Sequence, residues 1–276
     1  MPNKVCYIIL TFFLAVVGFS NEASAEVTPL KILVVNGGCC HDYDKQGPIL
    51  KEILEAKLNA EVTLATSPSK KTDARFKIYE KEDWAKGYDL VIHNECSANV
   101  KDKAYVKRIL DAHLNGVPAI NLHCAMHSYR WGDFKKPVKP GADNAGWFEM
   151  IGVQSSGHGP QFPVKVDYID KEHPVTKGLE NWTTPKGELY NNVQVFESAK
   201  ILAIGSQNLR KKKIADAAVI WTNSYGPKKT KIISLSIAHT SGEMKTENFQ
   251  ELLKRSALWA TDNINEDGSA KKGLAK

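Results

Sequence analysis

The sequence predicts an α/β fold with a mostly parallel sheet flanked by helices. Three compact apolar runs, each ending at glycine or polar residues, are typical of buried parallel strands: Leu30–Asn36, Tyr88–Asn94 and Val117–Leu122. Pro48 begins a helix after the first run, and Lys101–Leu114 predicts a second helix before the third run. Strands that alternate with helices of this length form βαβ units, which assemble into parallel sheets.

The later elements are less regular. Segment 130–145 is rich in glycine, proline, lysine and aspartate, which predicts an exposed excursion. The polar residues 263–276 predict a flexible C-terminal tail. The other predicted elements are strands at Glu61–Ala65, Phe162–Val166, Lys200–Gly205, Ala217–Thr222 and Lys231–Ala238, and helices at Gly146–Ile151 and Thr246–Thr261.

Residues 1–25 predict a secretory signal peptide that is cleaved off. Lys4 precedes an apolar run, and residues 23–25 form an A-x-A exit site before Glu26. A membrane anchor is the alternative, but the run is shorter than the ~20 residues that a spanning helix needs. We therefore expect a periplasmic or secreted protein with one α/β domain at 26–262 and no membrane contact after cleavage.

Charge and cysteine content narrow the function classes. The net charge is +6, and the basic run Arg210–Lys213 lacks an aromatic platform, so we expect no nucleic-acid partner. Four cysteines remain after cleavage, too few for a disulfide scaffold in a chain of this length. Export would expose them to oxidation. Two pairings stay open: a vicinal Cys39–Cys40 disulfide, or a bond from this pair to Cys96.

Residues that can perform chemistry follow four of the predicted strands. Ligands of open parallel sheets bind outside the carboxyl ends of the strands, so these residues are expected to line one edge. In chain order they are His41, Asp42, Asn94, Glu95, Cys96, His123, Cys124, His127 and His239.

Several of these residues lie in motifs that span about residue 30 to 261: Asn36-Gly37-Gly38 with His41-Asp42, Leu122-His123-Cys124-Ala125, His158 in a glycine-rich loop, Asp170-x-x-His173-Pro174, Glu188-Leu189-Tyr190 and Ala238-His239. The motifs and their order resemble the ThuA-like (trehalose-utilisation) family. The resemblance implies a class I glutamine amidotransferase-like fold, a relative of the flavodoxin-like fold, and a link to trehalose and 3-keto-sugar metabolism.

The turn after the fourth strand departs from the amidotransferase pattern. The superfamily places a nucleophilic cysteine there, in the sequence Gly-x-Cys-x-Gly, whereas this alignment puts His123 at that position and Cys124 one residue later. His239 matches the second catalytic position of the superfamily. We therefore expect no glutaminase activity and interpret Cys124 as a small buried side chain.

The candidate roles follow from the resemblance and from the chemistry of the side chains. His123, His239 and Glu95 are predicted to be catalytic, because imidazole and carboxylate groups suit acid–base work. The predicted substrate-binding residues are His41, Asp42, His158, Glu188 and Tyr190. A divalent metal ion is the alternative use of the imidazoles, with His41, His123, His158 and His239 as candidate ligands.

Two main functions remain open. The first is an exported enzyme, such as an isomerase, lyase or hydrolase, that acts on a sugar or keto-glycoside by histidine-based acid–base chemistry. The second is a non-catalytic carbohydrate-binding or complex-forming protein that keeps the fold without the nucleophilic cysteine. A thiol hydrolase would need Cys124 to point into the cleft. The partner expected in either main case is a small carbohydrate, and the sequence does not indicate an oligomeric state.

Overall fold

The computed structural model describes residues 1–3, 27–209 and 215–276. Within these residues, nine strands form one sheet. The predicted signal peptide and the basic run at 210–213 fall almost wholly outside these residues. The elements are β1 (Leu30–Gly38), α1 (Tyr43–Lys57), β2 (Ala60–Thr66), β3 (Leu90–Cys96), α2 (Lys103–Leu114), β4 (Ala119–Leu122), α3 (Gly146–Ile151), β5 (Val153–Gln154), β6 (Lys165–Tyr168), β7 (Trp182–Thr183), β8 (Gln194–Val195), β9 (Ala199–Ser206), β10 (Ala217–Tyr225), β11 (Thr230–Leu235), α4 (Ser241–Met244) and α5 (Glu247–Ala260).

The sheet has a parallel half and an antiparallel half. Its strand order is β2-β1-β3-β4-β11-β10-β9-β6-β7. Every pairing from β2 to β11 is parallel, and every pairing from β11 to β7 is antiparallel. The predicted α/β class with its parallel sheet is confirmed, while the sequence did not predict the antiparallel extension. In the described residues, no helix combines the length and apolar character needed to span a membrane.

Two apolar layers cover the sheet, as alternation along β1 requires. Ile32 and Val34 face the layer that contains α1 and α5. Leu33 and Val35 face the opposite layer, which contains α2 and α3. All four side chains are fully buried, as expected for an interior strand of a parallel sheet. β1 lies between β2 and β3, so its carboxyl end has a defined position.

Two sequence predictions need correction. Helix α1 begins at Tyr43 rather than at Pro48, which lies inside the helix and therefore removes only one backbone hydrogen-bond donor. Residues 263–276 also do not form a flexible tail. Leu274 is buried in the core, and its carbonyl oxygen accepts a hydrogen bond from the Asn59 N–H at 3.0 Å. These contacts of an apolar residue anchor the polar segment.

The end of β1 requires glycine. Gly38 has φ +96°, and an added Cβ would overlap the carbonyl oxygen of Cys96 on β3. Gly87 also has positive φ, at +85°, but an added Cβ would meet no atom within 4 Å. The two positions therefore separate the cost of the backbone conformation from the cost of the close strand contact.

We predict that Gly38→Ala destabilises the fold much more than Gly87→Ala. The control should lose about 1–2 kcal/mol, the cost of the left-handed conformation for a residue with a Cβ. Gly38→Ala adds steric overlap with a central strand and should lose at least about 2 kcal/mol more. Chemical denaturation of both variants measures the difference. Equal losses would show that the β1–β3 contact can relax.

Candidate functional site

Three histidines from separate loops meet at the carboxyl edge of the parallel half. His41 follows β1, His123 follows β4, and His239 lies four residues after β11. The ring centroids are 4.8 Å apart for His41 and His123, 5.2 Å for His41 and His239, and 5.2 Å for His123 and His239. One ligand nitrogen from each ring lies within 4.8 Å of the others. The structure therefore brings together three of the four predicted metal ligands.

His123 occupies a strained turn at the end of β4. Its φ is +42°, uncommon for a residue other than glycine and typical of sites that hold a functional side chain. Its Nδ1 lies 2.7 Å from the carbonyl oxygen of Ser236, so Nδ1 carries the proton and donates it. The Nε2 atom then presents a lone pair and is buried without a hydrogen-bond partner among the described residues. A carbonyl group behind a histidine often fixes a ligand nitrogen in this way.

His239 is held by the turn that follows β11. Both carboxylate oxygens of the buried Glu243 accept backbone hydrogen bonds, from the N–H of Ala238 at 2.8 Å and of His239 at 3.0 Å. The side chain of Gln46 donates to the carbonyl oxygen of His239 at 3.1 Å. Because α1 and α4 both hold this backbone, the ring of His239 has a defined position.

Burial lowers the pKa of two of these imidazoles, which favours their neutral forms at physiological pH. Burial, together with the neighbouring His123 and His239, lowers the pKa of His41 from 6.5 to about 3. Burial and the nearby His123 also lower the pKa of His239. Neutral imidazoles have free lone pairs, but a group with a pKa near 3 is a poor general acid–base catalyst at neutral pH.

Glu188 supplies the carboxylate of the cluster. Its oxygens lie 3.4 Å from His123 Nε2, 3.4 Å from His239 Nε2 and 3.6 Å from His158 Nδ1. Burial alone would raise the pKa of Glu188, but the neighbouring His123, His158 and His239 imidazoles lower it to about 2. The side chain is only 8% exposed. A carboxylate therefore lies beside three imidazoles in a buried position.

A cavity of about 290 Å³ opens above this cluster. Its volume is near the lower end of the ~300–1,000 Å³ typical of small-molecule sites. Glu188, His158, Tyr190 and Arg130 line it. The ring of Tyr190 stacks on His127 with centroids 4.3 Å apart, and its other ring neighbours are His123 at 4.7 Å and His158 at 5.3 Å. The cavity therefore has space for a ligand of about one sugar ring and many hydrogen-bonding groups.

Two predicted site residues lie elsewhere. Glu95 was predicted to be catalytic, but alternation along β3 turns its side chain to the opposite face of the sheet from Cys96. There its Oε1 accepts hydrogen bonds from Tyr79 at 2.9 Å and Tyr129 at 3.2 Å, and the residue is fully buried. Asp42 was predicted to bind substrate, but its carboxylate is exposed and pairs with Lys45 at 2.7 Å.

His158 is close to the cluster but differs from the triad. Its Nδ1 donates to the carbonyl oxygen of Gly159 at 2.8 Å, and its side chain is 40% exposed. The loop that carries it pairs with the loop that carries Glu188, through hydrogen bonds from Gly159 N–H to Leu189 O and from Asn191 N–H to Gly157 O. His158 therefore lies at the mouth of the cavity rather than among the three buried imidazoles.

The four cysteines form the other wall of the cavity. Cys39 bonds Cys40, which confirms the vicinal pairing, and Cys96 bonds Cys124. Cys124 is buried as expected, but its sulfur is part of a disulfide rather than a free thiol. This bond leaves no thiolate nucleophile at the turn after β4.

Sequence reasoning missed two residues of this site. Arg130 lines the cavity, and Glu243 holds the turn of His239. His127, which the sequence placed at this edge without a role, also lines the cavity. Arg130 follows the turn His123–His127, so its proximity in sequence was a usable signal. Glu243 gave no signal, because an acidic residue near a helix start is common.

The ligand chemistry of the cluster suits a divalent cation. Imidazole nitrogens and carboxylate oxygens are ligand types that zinc and related ions prefer. The buried His123 Nε2 and His239 Nδ1 have no hydrogen-bond partner among the described residues, and burying such groups unpaired costs free energy. A cation between the rings would remove this cost.

Comparisons with known proteins agree with this fold. A ThuA-like protein from Parabacteroides merdae ATCC 43184 aligns with a TM-score of 0.59 at 20% identity, covering 90% of this chain and 97% of that one. A ThuA-like protein from Bacteroides uniformis ATCC 8492 gives 0.61 at 17% identity, covering 89% and 96%. A cytoplasmic protein from Salmonella typhimurium LT2 gives 0.51 at 13% identity, covering 84% and 98%. At these identities the likeness shows the fold alone.

The curated proteins contain no match to this chain. The family comparison is more informative, because it covers nearly the whole described domain. The ThuA family, described as trehalose utilisation, matches residues 31–260, which include β1, α5 and every residue of the histidine cluster. The protein belongs to the ThuA family.

Proposed function

We propose that this protein is an exported enzyme that acts on a sugar or keto-glycoside and uses a divalent metal ion held by His41, His123 and His239. The observation that carries the proposal is the convergence of three imidazoles whose ligand nitrogens lie within 4.8 Å of one another. The buried and unpaired His123 Nε2 supports it, because its tautomer is set by the Ser236 carbonyl oxygen.

The residues around the cluster fit a reaction at a sugar carbon next to a carbonyl group. A bound divalent ion supplies Lewis-acid polarisation of a substrate oxygen. Glu188 is the carboxylate that lies 3.4 Å from both His123 and His239, so it is the group placed to accept the substrate proton. His158 and Arg130 at the cavity wall can hydrogen-bond the hydroxyl groups of the sugar.

Three further observations support this choice of substrate and chemistry. The ThuA family is described as trehalose utilisation. The cavity of about 290 Å³ suits one sugar ring better than a polysaccharide chain. The low pKa of His41 favours the neutral imidazole that a metal ligand must be. Export is supported only by the sequence of residues 1–25.

We predict that the mature protein binds one divalent ion and that His123→Ala loses it. Loss of a direct ligand should weaken affinity by more than the ~10–100-fold caused by losing a group behind a ligand. His158→Ala is the matched control, because His158 is exposed and already donates to Gly159. Metal analysis after dialysis against Zn²⁺ or Mn²⁺ measures the difference. Stoichiometric binding that survives His123→Ala would contradict the triad.

We predict that Glu188→Gln lowers turnover by about 10²–10⁴-fold, the usual contribution of a positioned general base. The amide keeps the shape but cannot accept the substrate proton. Asp42→Asn is the control, because this exposed carboxylate should contribute nothing to turnover. A screen of keto-sugars and glycosides with the unmodified protein supplies the substrate. Sugar binding without turnover, equal in all three proteins, would instead support the non-catalytic carbohydrate-binding alternative.

A further inference from the structure

All four cysteine sulfurs of the mature chain converge on one point beside the histidine cluster. Cys39 and Cys40 follow β1, Cys96 ends β3, and Cys124 lies in the turn after β4. The sulfur atoms of Cys39, Cys40 and Cys96 lie within 4.8 Å of one another, and Cys124 is bonded to Cys96. The Cys39 and Cys96 sulfurs belong to different disulfides, yet they are only 3.5 Å apart.

The backbone holds this arrangement independently of the disulfides. Gly38 pairs with Cys96 in the parallel β1–β3 ladder, and the Cys39 N–H donates to the Cys96 carbonyl oxygen at 3.2 Å. Ser128 joins the turn of Cys124 to β3, since its hydroxyl donates to the Glu95 carbonyl oxygen at 3.0 Å. Reduction of the disulfides would therefore leave the four sulfurs together.

Two neighbouring groups can stabilise negatively charged thiolate sulfurs. Tyr43 packs in the same buried cluster as Cys39, Cys96 and Cys124, and its hydroxyl has no hydrogen-bond partner among the described residues. Arg130 lines the same cavity. Its guanidinium contacts the carbonyl oxygen of Ser155 at 3.4 Å and the ring of Phe134 at 4.3 Å, neither of which carries a negative charge.

We propose that, after reduction, the four cysteines bind a thiophilic cation such as Zn²⁺ in a site separate from the histidine triad. A dithiol reductant gives two electrons and two protons to each disulfide and itself becomes a disulfide. The cation then replaces the four thiol protons, which pass to solvent. Thiolate sulfurs about 2.3 Å from a tetrahedral zinc ion are roughly 3.8 Å apart, close to the observed 3.5 Å between Cys39 and Cys96.

This proposal gives the cysteines two alternative states. Two disulfides close the cavity wall in the oxidised protein, and one cation with four thiolates replaces them in the reduced protein. His41 directly follows Cys40, so the change of state at the cysteines occurs one residue away from the histidine cluster. The site would thus connect the redox state of the surroundings to the histidine cluster, with Tyr43 and Arg130 stabilising the thiolate form.

Cobalt spectroscopy of the mature protein tests the proposal. The protein is reduced without oxygen with a phosphine, desalted and titrated with Co²⁺. We expect one equivalent of Co²⁺ to give near-ultraviolet sulfur-to-cobalt charge-transfer absorption with visible tetrahedral bands, which Zn²⁺ then removes. The oxidised protein should lack the charge-transfer absorption. Cobalt bound at the histidine triad cannot produce sulfur-to-cobalt absorption. His123→Ala should therefore keep this absorption even if the proposed function fails.

Alkylation provides a second measurement on the unsubstituted chain, which avoids variants that fail to fold. Zn²⁺ should protect all four thiols of the reduced protein from iodoacetamide, as counted by mass spectrometry. Cys40→Ser removes the most exposed ligand and should weaken the cobalt absorption. Equal alkylation with and without Zn²⁺, or no sulfur-to-cobalt absorption in the reduced protein, would overturn the proposal.

Discussion

The parallel pairing of β1, β3, β4 and β11 is the constraint on which the site depends. Gly38 is level with Cys96 across β1 and β3, and Leu122 is level with Leu235 across β4 and β11. Four loops therefore start from the same edge, where side chains of neighbouring loops can meet. The positive φ values of Gly38 and His123 turn the chain sharply at this edge, so that side chains rather than backbone fill the space between the loops.

Burial decides the electrostatics of the cluster. Three imidazoles this close together cannot all be positively charged, because desolvation and mutual repulsion both oppose the imidazolium form. The lowered pKa values of His41 and His239 express this effect. Glu188 adds a negative charge beside the rings. Lone pairs next to a carboxylate form an environment that favours a cation, which is the reason for proposing a metal ion rather than a proton relay.

The antiparallel half of the chain completes the site. Glu188 and His158 come from loops that pair with each other near β6 and β7, far in sequence from the histidine triad. Amidotransferase-like chemistry would need a thiolate at the turn after β4, but here His123 occupies that turn and Cys124 is bonded to Cys96. The turn after β4 therefore presents the imidazole of His123, and the sulfur of Cys124 belongs to the opposite wall of the cavity.

The sequence alone determined the α/β class, the edge of the sheet where the histidines meet, and the family. These follow from local signals: apolar runs with the right period, glycines at strand ends, and histidines directly after strands. Only the tertiary structure decided which carboxylate joins the histidines. Glu95 is nearer in the chain to a strand end, but the two-residue alternation of β3 turns it to the opposite face, whereas Glu188 arrives through a long-range loop pairing. The sequence placed the cysteines at one edge, but only the structure decided their pairing. The buried Leu274 was invisible in the sequence, because it depends on contacts between segments that are distant along the chain.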